Sequence, residues 1–439
     1  MDPVIRQRVL QLNPWHLDPS AWSEELAARL PDPFVARDVS LGDLTQGGNA
    51  QLVVGPRQAG KSTLVWDHLR AEEPGSVLFL NCEEALVRRW CESAAGFLAD
   101  LRGEFPRVST VFLDEAQHLD EAGLLVKGLV DARRGLTILV TGSSSFHLAA
   151  RTRESLAGRA ERAVLLPFSL REVRAHAAPA VPAAQRDDSR RKTSRMLVWG
   201  GYPAVWLGSR PERALSNLVE AFVLRDASDR FRIQRPDALR TVLQLAAGQA
   251  GQMVNLSEWA SLAGISAPTV REYLGILEES WVLRLVPAFA GGKRREISSA
   301  SRIHFYDPGL RNALLHAFDG DIERRADRGA LFEGLVFAEL AKTLPRDWSV
   351  RYWRATGGAE MDFVLTRGDR CVGVDVKAGQ GPRLSRSARS FVQAYAPSDL
   401  LLVGGIEGDG AEPEMSAGTK VHRIGVLELA GRIAAIAAR

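Results

Sequence analysis

The stretch Gln51-Leu-Val-Val-Gly55-Pro56-Arg57-Gln58-Ala59-Gly60-Lys61-Ser62-Thr63 constrains this chain more than any other. An apolar run turns at a glycine, passes four residues and resumes through Gly-Lys-Ser, the G-x-x-x-x-G-K-[ST] phosphate loop. Gly55 and Gly60 allow the torsions and close approach that aim successive backbone N–H groups at phosphate oxygens. The helix that follows adds its positive N-terminal end to the same anion. Lys61 would reach the β- and γ-phosphates, and Ser62 a magnesium ion. A loop of this kind joins a strand to a helix, so it implies an α/β fold and a site for ATP with Mg2+.

At 439 residues the chain exceeds one core and has room for about three domains of ordinary size. Charged residues at 25% and hydrophobic ones at 46% are ordinary for a globular protein. No apolar run approaches the roughly eighteen residues that span a bilayer, and Met-Asp-Pro-Val-Ile-Arg is no signal-peptide core. The expected location is cytoplasmic, with no membrane partner. Cys82, Cys91 and Cys371 are widely separated and form no C-x-x-C pair, so they read as reduced packing residues. The net charge of +3 permits a polyanionic partner without requiring one.

Residues 1–50 contain an apolar spacing, Trp22, Leu26, Leu30, that suits a short helix and carries no chemistry. From 51 to 175, short apolar strands alternate with longer helical segments: Gln51–Val54, Val77–Leu80, Val108–Leu113, Leu136–Val140 and Ala163–Leu166. That order predicts a parallel sheet covered by helices on both faces. The third strand ends in Asp114-Glu115, and acids at the carboxyl end of such a strand lie beside the phosphate loop. Asp114 is the candidate magnesium ligand and Glu115 the base that orients water. The fourth strand runs into Thr141-Gly142-Ser143-Ser144-Ser145, where a hydroxyl, Ser143 by preference, either senses the γ-phosphate or caps the next helix. Arg159, ahead of the fifth strand, projects from the domain either as a finger for a neighbour's γ-phosphate or as a surface arginine.

Gly55–Thr63, Val111–Glu115, Thr141–Ser145 and Ser155-Leu-Ala-Gly-Arg159 together resemble the AAA-type ATPases of bacteria and archaea whose C-terminal half is a domain of unknown function. The resemblance covers nearly the whole chain. It implies ATP hydrolysis and a homo-oligomeric ring, of which a hexamer is one form. It departs from many AAA+ proteins in having serines where a sensor asparagine stands.

Residues 176–238 begin with a segment, 177–195, that reads as an exposed loop or linker because of Pro179, Pro182 and the run Arg186-Asp-Asp-Ser-Arg-Arg-Lys192. Helical segments follow that resemble the family's small lid. Over 239–308, one apolar helix face stops at Gly264 and a second helix starts near Ser266, which suggests a helix-turn-helix. The strands Trp281–Ala288 and Arg302–Phe305, with a basic turn at Gly291-Gly292-Lys293-Arg294-Arg295, make the unit resemble a winged helix. On one reading Thr269 and Arg271 enter a DNA groove while Lys293, Arg294 and Arg295 hold phosphates. On the other the unit is a spacer or protein contact, since Glu272, Glu278 and Glu279 dilute its positive charge.

The last segment, 309–439, carries a second chemical signal. Met361–Thr366 and Cys371–Val376 alternate and join at Gly368-Asp369, a two-residue hairpin. With that loop Asp362 faces Asp375 and Glu360 faces Lys377. Carboxylates facing across a ladder lie about 5 Å apart and repel, so a positive group belongs between them, and a hard divalent cation (Mg2+ or Mn2+) suits. Lys377 would then steady a water or developing charge. A preceding helix with Glu333 and Glu339, followed by D…D-x-K, resembles the PD-(D/E)XK nuclease fold. That resemblance matches Glu333 to the helical acid, whereas Glu339 falls in the apolar stripe and stands second. The competing reading is an inert descendant held by a Glu360–Lys377 ion pair.

The expected molecule is therefore α/β throughout: a parallel-sheet AAA-type core, a helical lid, a winged helix and a mixed α/β nuclease-like domain. Two functions fit it, an oligomeric ATP-driven motor or remodeller of DNA, with or without a metal-dependent nuclease site, and a nucleotide-gated switch or DNA-binding module with an inactive C-terminal domain.

Overall fold

The structure is a computed structural model that describes residues 1–39, 41, 50–132, 135–142, 158–221, 233–289, 300–355, 357–379, 381–408, 410 and 412–439. The chain divides into two compact units, 1–166 and 167–439.

In the first unit five parallel strands, β1 (Ala50–Val54), β2 (Val77–Asn81), β3 (Thr110–Asp114), β4 (Thr137–Gly142) and β5 (Ala160–Val164), lie in the order β2-β3-β4-β1-β5. β1 is buried along its whole length between β4 and β5, so its residues are apolar at nearly every position rather than alternating. This order brings the carboxyl ends of β1, β3 and β4 side by side. The helix Lys61–Leu69 leaves directly from the loop after β1.

Residues 1–39 belong to this unit. Trp15 and Trp22 pack with Trp66, Phe79 and Phe112, and the Arg29 guanidinium lies 4.7 Å from the Trp66 ring. Asn13, fully buried, closes the seam: its amide nitrogen donates to the carbonyls of Val9 (2.8 Å) and Phe79 (2.9 Å), and its oxygen accepts from the Phe79 N–H (2.6 Å). Asn13 thereby satisfies the edge groups of β2 that no further strand pairs.

The second unit opens with helices. The expected loop over 177–195 is overturned: Pro182–Trp199 is an 18-residue helix. Pro182 sits at the first turn, where its fixed φ suits a helix, and the charge run pairs along it, Lys192 with Asp188 at 2.7 Å and Arg191 with Asp188 at 2.5 Å. A polar helix of this sort shows no apolar period until its last turn, where Met196, Leu197 and Val198 are buried. Gly200, at φ +74°, ends it, and Asp307 fills the space where a Cβ would stand.

The helices Pro236–Gly248, Leu256–Ala263 and Ala267–Glu279 pack on the antiparallel pair β6 (Leu283–Val286) and β7 (Arg302–Phe305). Gly264 adopts the left-handed conformation and Ser266 caps the next helix, the turn chemistry expected between them. Beyond them a six-stranded mixed sheet runs in the order β12-β13-β11-β10-β9-β8, with β8 Ser349–Arg354, β9 Glu360–Arg367, β10 Arg370–Lys377, β11 Asp399–Gly404, β12 Glu414–Ser416 and β13 Thr419–Ile424. The helices Arg328–Thr343 and Arg386–Tyr395 cover it. β9 and β10 are paired Arg367 to Arg370 through Gly368-Asp369, as the two-residue loop requires. No helix among the described residues is long and apolar enough to cross a membrane.

Replacing Asn13 by alanine would strand the buried Phe79 N–H, so a loss of about 1–3 kcal/mol is expected. Urea unfolding of the full chain, followed by tryptophan fluorescence, should show the first unit melting at lower denaturant.

Candidate nucleotide site and the C-terminal charge cluster

Gly55 leaves β1 at φ +152°, and a Cβ on it would stand 2.0 Å from the Leu165 carbonyl oxygen, so only glycine fits. Gln58 and Gly60 also take positive φ, so the loop 55–60 turns sharply into the helix start. Lys61 is 4% exposed and its Nζ donates to the Pro56 carbonyl at 3.0 Å, spanning the loop from inside. A buried ammonium held by the loop's own carbonyl is a charge placed to meet an anion.

Ser62 Oγ donates to Asp114 Oδ1 at 2.7 Å, which joins the loop to the end of β3. Thr141, at the end of β4, donates its hydroxyl to the same oxygen and accepts the Glu115 N–H at 2.9 Å. Burial pushes the Asp114 carboxyl up from its ordinary range, and the hydrogen bonds from Thr141 and Ser62 work against that shift. Glu115 stands at φ +54°, unusual for a side-chain-bearing residue, and its carboxylate accepts from Gln117 Nε2. These residues fit MgATP: an internal ammonium, a hydroxyl and a carboxylate sharing one point, and a second carboxylate one residue on. When bound, the magnesium ion would supply charge neutralisation at the phosphates, held by Ser62 and Asp114.

Ser143 lies outside the described residues; among those described, Thr141, at the end of the same strand, engages both Asp114 and the Glu115 N–H. Arg159 Nε contacts Asp131 Oδ1 at 2.7 Å, with both side chains well exposed. Gln117 was not singled out in the sequence; it lies two residues past Glu115, within reach of a turn.

In the second unit Thr269 is part of the Ser266 helix cap, with the two hydroxyls 2.8 Å apart, and Arg271 is exposed beside Glu272. Lys293, Arg294 and Arg295 lie outside the described residues.

The acids of the C-terminal domain are arranged differently from expectation in one respect. The Glu360–Lys377 ion pair does not form. Lys377 Nζ contacts Asp375 Oδ1 at 2.6 Å, and Glu360 Oε2 contacts Arg302 Nη2 at 2.5 Å. The β9–β10 ladder is paired as far as Phe363 and Val374, and Asp362 Oδ2 then accepts the Val376 N–H at 2.7 Å in place of a backbone carbonyl. With Asp362 engaged this way, Asp375 reaches Lys377 and the Ser385 hydroxyl at 3.3 Å. Burial works against the Lys377 charge, but Asp375 outweighs it and its pKa rises.

Glu333 joins this cluster, 3.9 Å from Arg302 Nη1, whereas Glu339 does not. Glu339 is buried against the Leu170 N–H (3.1 Å) and Lys342 (3.1 Å) as a packing anchor. Burial, and then Asp362, push the Glu333 carboxyl up; burial likewise raises Asp362. Arg302 and His304, which the sequence reading passed over, share a face of β7, being two residues apart. Two polar side chains on one face of a buried strand were the available signal. Among the described residues, the group of three potential ligand side chains whose donor atoms lie within 4.8 Å of one another is Glu83, Glu115 and His118, at the nucleotide site.

Fold and site together define a P-loop ATPase of the AAA type. Residues 48–174 match an AAA domain, and residues 190–321 and 328–410 match two domains of unknown function, DUF8612 and DUF4143. The uncharacterized protein Rv2008c of Mycobacterium tuberculosis is 30% identical over 360 residues, spanning 80% of this chain and 75% of that one. An uncharacterized protein of Haemophilus influenzae is 26% identical over 345 residues, spanning 74% and 82%. The solved structure described as replication initiator DnaA bound to AMPPCP and single-stranded DNA is similar at 13% identity over 57% of this chain and 92% of that chain, with a TM-score of 0.28. The chain belongs to the family of AAA-domain proteins with a C-terminal domain of unknown function that includes Rv2008c.

Thr141→Val would leave Asp114 one hydrogen bond short and the Glu115 N–H without its acceptor. Groups that orient a metal ligand are typically worth 10–100-fold, so magnesium-dependent turnover should fall by about that factor. Binding of a fluorescent nucleotide without magnesium should hardly change.

Proposed function

We propose that this protein hydrolyses ATP and uses the cycle to move or remodel DNA as a homo-oligomer. The observation that carries the first part is the meeting of Ser62, Asp114 and Thr141 at one carboxylate oxygen, with Glu115 adjoining. Lys61 binds the β- and γ-phosphates, Ser62 and Asp114 hold Mg2+, and Glu115 orients the attacking water.

Support for DNA comes from the helix-turn-helix, Leu256–Ala263 and Ala267–Glu279, whose second helix leaves Arg271 exposed. With Lys293, Arg294 and Arg295 following, the unit would bind phosphates without reading bases. Arg159, whose partner Asp131 is itself well exposed, is free to exchange that surface pair for a neighbour's γ-phosphate. Such an exchange would make an oligomer, in ring form a hexamer, the active species.

A second reading, a nucleotide-gated switch with slow turnover, is favoured by one observation: Glu115 is held by Gln117, so the base must be released before it can act.

The test is ATPase rate with and without duplex, single-stranded, forked and four-way DNA. Lys61→Ala should weaken nucleotide binding, while Glu115→Gln should bind MgATP normally and turn over at least 100-fold more slowly. Stimulation by one DNA form supports the motor; turnover indifferent to every DNA supports the switch, and normal turnover by the glutamine variant removes Glu115 from its role. Arg159→Ala should bind ATP, lose hydrolysis and poison wild-type subunits on mixing. Full activity of that variant as a monomer would exclude the finger.

A further inference from the structure

The acid cluster at the start of β9 is short of positive charge. Glu333, Glu360, Asp362 and Asp375 stand against Arg302 and Lys377, with Arg354 opposite Glu360 in the β8–β9 ladder, which leaves one negative charge when all are ionised. Arg302 is the centre of it. Its Nη2 is 2.5 Å from Glu360, and its Nη1 is 3.9 Å from both Glu333 Oε1 and Asp362 Oδ1. The guanidinium also lies 4.7 Å from the Tyr352 ring, which fixes its plane.

A separate observation points to a ligand here. His304 is 1% exposed, its Nε2 makes no hydrogen bond, and that atom faces Glu333 Oε1 at 3.6 Å, which is also buried without a hydrogen-bond partner. Burial holds the imidazole neutral, with its pKa lowered to about 3. A neutral imidazole nitrogen and a carboxylate oxygen, both buried and both unused, are a donor set for a divalent cation. These atoms and Asp362 do not all lie within 4.8 Å of one another while the guanidinium stands beside them.

We propose that Arg302 sits where a divalent cation would, so that Glu333, Asp362 and His304 form a metal site that this arginine keeps closed. The closure is firm because the backbone around Arg302 is fixed: the Val254 N–H donates to the Ser301 carbonyl (3.0 Å), the Gly251 N–H to the Ile303 carbonyl (2.7 Å), and the Ile303 N–H to the Gln252 carbonyl (3.2 Å). β7 delivers the plug, and β7 is a strand of the helix-turn-helix unit's own hairpin. The pairing of that hairpin therefore sets whether the acids are free, which makes the contact autoinhibitory towards any metal-dependent chemistry of the C-terminal domain. The inference goes beyond the ATPase proposal and does not depend on it.

The experiment is equilibrium dialysis of the full chain against Mn2+ without nucleotide, with folding checked by circular dichroism. Arg302→Gln should bind one Mn2+ per chain more than wild type, and Arg302→Gln combined with Asp362→Asn should lose that extra ion. Arg302→Met, which keeps an unbranched side chain without the charge, should repeat the gain if the glutamine variant misfolds. Folding of either variant only with Mn2+ present would also support the site. Equal Mn2+ binding by wild type and folded Arg302 variants would overturn it. So would failure of both variants to fold even with Mn2+, since a place a metal can take should be refilled by the metal.

Discussion

One carboxylate oxygen, Asp114 Oδ1, ties the first unit's loop to its sheet, accepting hydrogen bonds from Ser62 and from Thr141. Those three residues come from the loop after β1, the end of β3 and the end of β4, and they meet because β4 lies between β3 and β1 in the sheet. A parallel sheet with that order puts three carboxyl ends in one crevice, so the site follows from topology before any side chain is chosen. The side chains then make it specific. Burial raises the Asp114 pKa, and the hydrogen bonds donated by Thr141 and Ser62 oppose that rise without cancelling it.

The strands of this unit were legible because each is a short apolar run ending in a polar or glycine residue, and a fully buried parallel strand has little other way to be written. Their ends shift by a few residues: the fifth, expected at Ala163–Leu166, begins at Ala160 and carries Glu161 and Arg162. It is an edge strand, and its polar residues tolerate water where a central strand's would not. Asp114 and Glu115 were legible for a different reason, since two acids directly after an apolar strand have nowhere to go but the sheet's edge. Thr141 stood in a run of hydroxyls, and nothing local marks it as a partner of Asp114.

In the second unit, local signals succeeded and long-range ones failed. Gly368-Asp369 fixes the β9–β10 register within four residues, and the paired positions follow it. The partners of the charged residues do not follow from register, because Glu360 finds Arg302, 58 residues earlier, in preference to Lys377 across the ladder. A guanidinium that is 7% exposed and can reach three acids at once outcompetes a half-exposed lysine for the nearest of them. No spacing in the sequence encodes that competition. The helix Pro182–Trp199 was missed for the opposite cause: along its polar run the pairing is local, through Asp188 and its neighbours, and i,i+4 charge pairs look like a solvated linker when no apolar stripe accompanies them.

The two clusters of acids hold their charge in different ways, and the difference bears on what each can do. At Asp114 the neighbours are hydroxyls, which neutralise nothing but are themselves oxygen donors to a hard cation, so an arriving ion can keep Ser62 as a partner. Around Glu333 and Asp362 the neighbour is a full positive charge, which is paired with Glu360, stands 3.9 Å from these two acids and repels any ion of the same sign. A cation entering the first site meets ligands already in place; one entering the second must first displace an arginine bound to Glu360 at 2.5 Å and anchored by its backbone. The first arrangement suits a site that fills and empties in every cycle. The second suits one that stays shut unless its own strand is disturbed.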